Sequence, residues 1–130
     1  MEVIAVDTSV LIDFLRGNPP ETKLVSKLIK NGCGAITAIS VFELQVGIPP
    51  GSRREEKLGQ LINYLEVLPL DRTAAMKAGL IERELRTRGQ LIGVADVLIA
   101  GICLAHNVPL ATRNRDHFER VPGLNLYHYG

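Results

Sequence analysis

The residues in this 130-residue chain best suited to chemistry are oxygen donors beside expected changes of backbone direction: Asp7, Glu43, Asp96, and Asn114 with Asp116. Asp7 ends the apolar run Val3 to Val6, which has the length of a buried strand. Thr8 and Ser9 behind it are good helix N-caps, and Val10, Leu11, Phe14 and Leu15 recur at helical spacing. Glu43 lies in or just past the first turn of a helix that Ser40 can cap. Asp96 opens the most hydrophobic helix, and Asn114 and Asp116 follow a short strand. In a doubly wound sheet such positions converge at the carboxyl edge of the strands, where ligands bind. A group of carboxylates without histidine or thiolate suits a hard cation, Mg²⁺ or Mn²⁺, and such an ion commonly handles a phosphate. Singly, each acid has a plainer role: Asp7 as a helix cap, Glu43 as a complement to a helix dipole. Held close together they require a metal ion or a proton.

The elements that must position these residues alternate along the chain. Strands are expected at Val3 to Val6, Ala35 to Ala38, Val67 to Leu70, Val108 to Ala111 and about Leu124 to Tyr127. Between them lie amphipathic helices: one opened near Pro20, with Leu24, Val25, Leu28 and Ile29 on one face, and one with Leu58, Leu61, Ile62 and Leu65 facing inward. A long helix from Arg72 to about Arg88 is capped by Asp71, and its Ala74, Ala75, Ala78 and Gly79 allow close approach of another element, including a dimer mate or another protein. The helix that begins at Ala95 and Asp96 is apolar nearly all round, as for a central element, and Asn107 can end it. Alternation of this kind gives an α/β fold, a three-layer α/β/α arrangement with a central, mainly parallel sheet.

Composition narrows the class. The length suits a single domain over residues 1 to 130, and 46% apolar against 22% charged residues describes a chain with a real core. A net charge of +1 means that a nucleic-acid partner must be met by a local patch and not by global charge. No apolar run is long enough for a membrane span and no basic segment precedes the first apolar stretch, so the expectation is a cytoplasmic protein with no membrane partner. Cys33 and Cys103 form no zinc-like cluster and read as buried thiols.

Four segments, VDTSVLIDFL at 6 to 15, AISVFEL at 38 to 44, GVADVLIA at 93 to 100 and ATRNRDHF at 111 to 118, resemble in order, spacing and type the PIN domain ribonucleases, particularly the VapC-type toxins of prokaryotic toxin-antitoxin pairs. The resemblance runs nearly end to end. It implies a metal-dependent endoribonuclease that hydrolyses RNA phosphodiester bonds with Mg²⁺ or Mn²⁺, in which Asp7, Glu43 and Asp96 correspond to the family's acidic residues. Ser9 matches the hydroxyl position after the first acid, and Thr112 the hydroxyl of the fourth motif. A homodimer and a cognate antitoxin are implied with it. Asn114 stands where many relatives carry Asp, and Asp116 lies two residues on. Either Asp116 serves the fourth position or the site runs on three acids plus Asn114, which leaves open one ion or two.

Arg113 and Arg115 flank this last motif and suit an RNA backbone, whereas Arg53, Arg54 and Lys57 read as a solvated face. His106, near a helix end, is expected to complement the helix dipole or to be exposed; His117 and His128 have no paired ligand spacing, and Phe14 and Phe118 read as core. Two other functions compete. One is a non-catalytic PIN module that binds RNA or protein, suggested by Asn114. The other is a phosphoryl-transfer enzyme with Asp7 as nucleophile, disfavoured because the haloacid-dehalogenase pattern wants a second Asp where Ser9 stands.

Overall fold

The computed structural model describes residues 2 to 130. Four strands, β1 (Ile4–Val6), β2 (Gly34–Thr37), β3 (Glu66–Leu68) and β4 (Leu110–Ala111), form a parallel sheet in the order β3-β2-β1-β4. Helices α1 (Thr8–Leu15), α2 (Glu21–Lys30), α3 (Ala38–Gly47), α4 (Arg53–Ile62), α5 (Arg72–Thr87), α6 (Val94–His106) and the short α7 (Arg115–Phe118) complete it. The alternation in β1 shows how the layers arise: Ile4 and Val6 pack into one apolar cluster with α1, α2 and α4, and Ala5 between them packs into a second with α5 and α6. β2 repeats the pattern with Ile36 and Ala35. Both faces of the inner strands are therefore covered, as expected of a parallel sheet and of the three-layer reading.

Helix α6 is the central helix of its layer, with Val97 and the run Ile99 to Cys103 buried. It opens at Gly93, whose φ of 102° suits glycine alone, and closes at Asn107 in the left-handed conformation. Its approach to α5 is set by absence of side chain. A Cβ on Gly101 would stand 2.7 Å from the Ala74 carbonyl oxygen and 2.7 Å from the Ala78 Cβ. Ala74 and Ala78, expected to admit a neighbouring element, thus receive α6 of the same chain and are not free for a partner; Ala75 and Gly79 stay exposed.

Several boundaries differ from expectation for local reasons. Ala38 opens α3 and does not end β2, because Thr37 and not Ser40 is the cap: Ser40 N donates to Thr37 Oγ1 at 3.1 Å. Asp7 itself caps α1, the plainer role open to it in the sequence, and Thr8 and Ser9 lie within the helix. β3 stops at Leu68, short of Leu70. The strand expected at Leu124 to Tyr127 is reduced to one parallel bridge, Leu110 to Leu126, because its neighbour β4 is only two residues long and offers Leu110 alone as partner. Phe118 is fully buried, whereas Phe14 is half-buried against its cluster. Among the described residues no helix is long and apolar enough to cross a membrane.

Candidate functional site

The register of β1 against β4 builds the centre of the site. Val6 pairs with Ala111, so the next residues, Asp7 and Thr112, leave the sheet side by side at its carboxyl edge. Asp7 is 2% exposed and both of its carboxylate oxygens accept hydrogen bonds. Oδ1 accepts from Val10 N at 3.1 Å and from Ser9 Oγ at 2.5 Å, and Oδ2 accepts from Thr112 Oγ1. Thr112 in turn accepts Asn114 N at 2.9 Å, and Ser9 Oγ accepts Arg113 N at 3.1 Å. One carboxylate is thereby tied to both the start of α1 and the loop after β4.

Burial raises the Asp7 pKa above the ordinary aspartate value. The hydrogen bonds from Ser9, Thr112 and Val10 oppose this, and the negative charge of Asp96 adds to it. Asp96, in the first turn of α6, is thus close enough to act on Asp7 electrostatically. Its Oδ2 lies 3.1 Å from His117 Nδ1, at a half-exposed position. Glu43 is half-buried on α3, and its Oε1 accepts from Thr8 Oγ1 at 2.6 Å. Thr8 Oγ1 is also 3.0 Å from Ser40 Oγ; with the single Thr8 proton directed at the carboxylate, Ser40 is the donor in that pair.

Of the residues singled out in the sequence, Asp7, Ser9, Thr112, Arg113 and Asn114 are therefore joined by direct hydrogen bonds, with Asp96 acting through its charge. Glu43 enters through Thr8. Asp116, in the first turn of α7, is exposed and stands apart from the buried network, and the Asn114 side chain is exposed and makes no cap bond. Arg115 NH2 is 3.4 Å from His128 Nε2, and Arg53, Arg54 and Lys57 lie on the solvated face of α4. His106, expected to serve the dipole or to be exposed, is half-buried with Nε2 unpartnered.

Thr8, Ser40, His117 and Asp13 were not singled out as site residues by sequence. Asp13 is 5% exposed and binds Asn18 Nδ2 at 2.8 Å and the Arg113 guanidinium. Its signal is legible in hindsight: an acid set inside the apolar run of α1, between Ile12 and Phe14, needs a partner of opposite charge.

The donor set fits a hard divalent cation in kind, being carboxylate and hydroxyl oxygen around one buried, charge-stressed aspartate. It is not closed around one: among the described residues no three His, Cys, Asp or Glu side chains are grouped as ligands of a single ion. Glu43 is turned to Thr8 and Asp96 to His117.

A parallel sheet with acids gathered at its carboxyl edge defines a class of phosphate-handling α/β proteins, and comparison with known proteins narrows it. The PIN domain family model matches residues 4–124. Ribonuclease VapC1 of Methanocaldococcus jannaschii is 35% identical over 95% of this chain and 86% of its own. Ribonuclease VapC2 of Rickettsia felis is 30% identical over 95% and 96%. Among solved structures, VapBC2 from Rickettsia felis bound to a promoter DNA fragment superposes with a TM-score of 0.87 at 26% identity, covering 98% of this chain and 99% of that one. VapBC from Salmonella typhimurium, also bound to DNA, gives 0.81 at 28% identity over 98% of both. The chain belongs to the PIN domain family, among its VapC-type ribonucleases.

Proposed function

We propose that this chain is the endoribonuclease toxin of a VapBC-type toxin-antitoxin pair, that it requires Mg²⁺ or Mn²⁺, and that its substrate is an RNA phosphodiester. The observation that carries the reading is the Asp7 carboxylate itself, 2% exposed yet oriented by three donors at the carboxyl edge of the sheet, where burial raises its pKa against those hydrogen bonds. A structural cap has no need of so costly a position; a ligand for a cation does.

Asp7, Glu43 and Asp96 would hold the ion, with Asp116 or Asn114 completing the set or orienting water. When bound, the ion supplies polarisation of a phosphoryl oxygen and a lowered water pKa. The chain's own part is positional. Ser9 and Thr112 fix the rotamer of Asp7, and Thr8, backed by Ser40, fixes Glu43. His117 lies beside the Asp96 carboxylate, so Asp96 would hold an ion only with that contact released. Arg115, half-buried next to the site, offers a positive charge for the RNA backbone. The engagement of both Asp7 oxygens, with 2% exposure, speaks against Asp7 as a covalent nucleophile.

Complexes with antitoxins are described for the VapBC structures to which this chain is similar, and an antitoxin partner is part of the reading. A homodimer is proposed with it, since exposed Phe42, Val46, Met76 and Leu80 give apolar surface for a second copy. The test is cleavage of RNA by purified protein. Activity should appear with Mg²⁺ or Mn²⁺, vanish in EDTA and return on readdition; undiminished cleavage in chelator overturns the metal requirement. A chain that binds RNA with Mn²⁺ present and never cuts it is instead the non-catalytic module.

A further inference from the structure

We propose that the Asp13–Arg113 ion pair is a positioning latch, which fixes the loop after β4 against α1 and thereby sets the orientation of the Asp7 carboxylate. This rests on the reading of Asp7 as a ligand of the catalytic ion and adds a role that the acidic residues do not supply.

β4 is two residues long, so the segment Thr112 to Asn114 leaves the sheet with little backbone pairing to hold it. Yet this segment supplies one of the donors to Asp7, through Thr112, and supports a second, because Arg113 N donates to Ser9 Oγ. Beyond these two bonds the segment has one tie made by a charged side chain: the exposed Arg113 guanidinium reaches across to the buried Asp13 Oδ2 on α1. Asp13 is a fixed anchor. It is 5% exposed, its Oδ1 takes the Asn18 amide at 2.8 Å, and Asn18 N donates to the Asp13 carbonyl at 2.9 Å, so the carboxylate is held by its own turn before Arg113 arrives. The Asn18 hydrogen bond and then the cation hold its pKa below the ordinary value, so it stays charged in the folded chain.

Asp7, Ser9, Arg113 and Asp13 thus form a closed circuit: two residues of α1's opening turn region, the loop residue, and an acid further along the same helix. Arg113 is adjacent to Thr112 in the chain, so a shift of its side-chain anchor is passed directly to the Thr112 donor. A loss of register of about 1 Å at a reacting group can cost about 100-fold in rate without weakening substrate binding. The competing role for Arg113 is a direct phosphate contact, and the two roles differ in what Asp13 should do. For a latch, Asp13 and Arg113 act as one unit. For a phosphate contact, Asp13 only competes with the RNA.

The experiment is a double-mutant cycle on RNA cleavage at saturating Mn²⁺, with Asp13→Asn, Arg113→Gln and the double variant, together with amide hydrogen exchange on each protein free of RNA. The latch requires kcat to fall by about tenfold or more in either single variant, KM to move by less than about twofold, and the double variant to be no worse than the worse single. Amides of Arg113 and Asn114 should exchange faster in both singles, while those buried in α6 keep their wild-type rates. A rise in KM with a shallower salt dependence for Arg113→Gln, and wild-type turnover for Asp13→Asn, overturns the latch in favour of a phosphate contact. Unchanged exchange at Arg113 and Asn114 overturns it also, with or without measurable cleavage. Asp7→Asn in the same assay separates the two claims: if that variant cuts RNA normally, the site reading fails, whereas the exchange data still decide the latch.

Discussion

Thr112 Oγ1 donates a hydrogen bond to Asp7 Oδ2 across 105 positions of the chain, whereas the other two donors to that carboxylate, Ser9 and Val10, lie within three. The bond follows from topology. β1 and β4 are neighbours in the parallel sheet, and with Val6 opposite Ala111 the next residue of each strand must emerge beside the other.

Replacing Thr112 by Val keeps the shape and removes the donor. Asp7 is then left buried with one oxygen unsatisfied, a change that costs about 1–3 kcal/mol in the folded state. Because donors to the charged form lower a carboxylate pKa, their loss raises it, so the acid limb of the pH–rate profile should move to higher pH and cleavage should fall by about 10- to 100-fold. Thr112→Ser, which keeps the hydroxyl, should restore most of both. A Val variant with the wild-type profile would mean that the bond does no work at the site.

Much of this arrangement was legible before the fold was known, because it rests on local signals. The apolar run ending in Asp7, the cap at Asp71, the stop at Asn107 and the apolar character of α6 all came out as read. What sequence could not give was pairing at a distance. Whether the residues after Ala111 meet Asp7 depends on strand order, and strand order leaves no periodic trace. The same blindness hid Asp13, whose cation lies in another motif, and the reduction of the last strand, which depends on the length of β4 and not on Leu124 to Tyr127 themselves. The small residues Ala74 and Ala78 were rightly read as a site of close approach, but only the structure shows that Gly101 of the same chain fills it.

That contact sets a stability expectation at Gly101. An added methyl would meet the Ala74 carbonyl oxygen and Ala78 Cβ at 2.7 Å each, and backbone on a packed helix gives way little. Gly101→Ala should therefore lower stability by about 1–3 kcal/mol, and Gly101→Val by more, as overpacking does. Chemical denaturation measures it. Cleavage per folded molecule should be unchanged at low temperature; a stability equal to wild type would show that α5 and α6 can part at no cost.

The two thiols make a third case. Burial and, to a smaller degree, the charge of Asp7 push the Cys103 pKa up to about 12, and Cys33 is 3% exposed. The thiolate is the reactive form, and the two residues belong to clusters on opposite sides of the sheet. Iodoacetamide at neutral pH should leave the native chain unmodified and label two sites in denaturant, as read by intact mass. An internal disulfide after mild oxidation is not expected, and its appearance would contradict the layer assignment.

Asp7 itself gives the sharpest comparison. Its pKa in the folded chain is raised, so the folded state binds that proton more tightly than the unfolded chain does. The stability this confers is complete below the ordinary aspartate pKa of about 3.9 and is lost as pH rises through the higher folded value. Above that value the ionised, buried carboxylate works against the fold. Asp7→Asn carries no charge at any pH and caps a helix about as well as Asp, so without metal it should melt alongside wild type in acid and at or above it near neutrality. Added Mn²⁺ should raise the wild-type melting temperature and move the variant much less, while RNA cleavage by the variant falls by orders of magnitude. If Asp7 were only a cap, the substitution would leave cleavage and the Mn²⁺ shift near wild type. A variant that keeps both would take Asp7 out of the site and leave its burial without a functional reason.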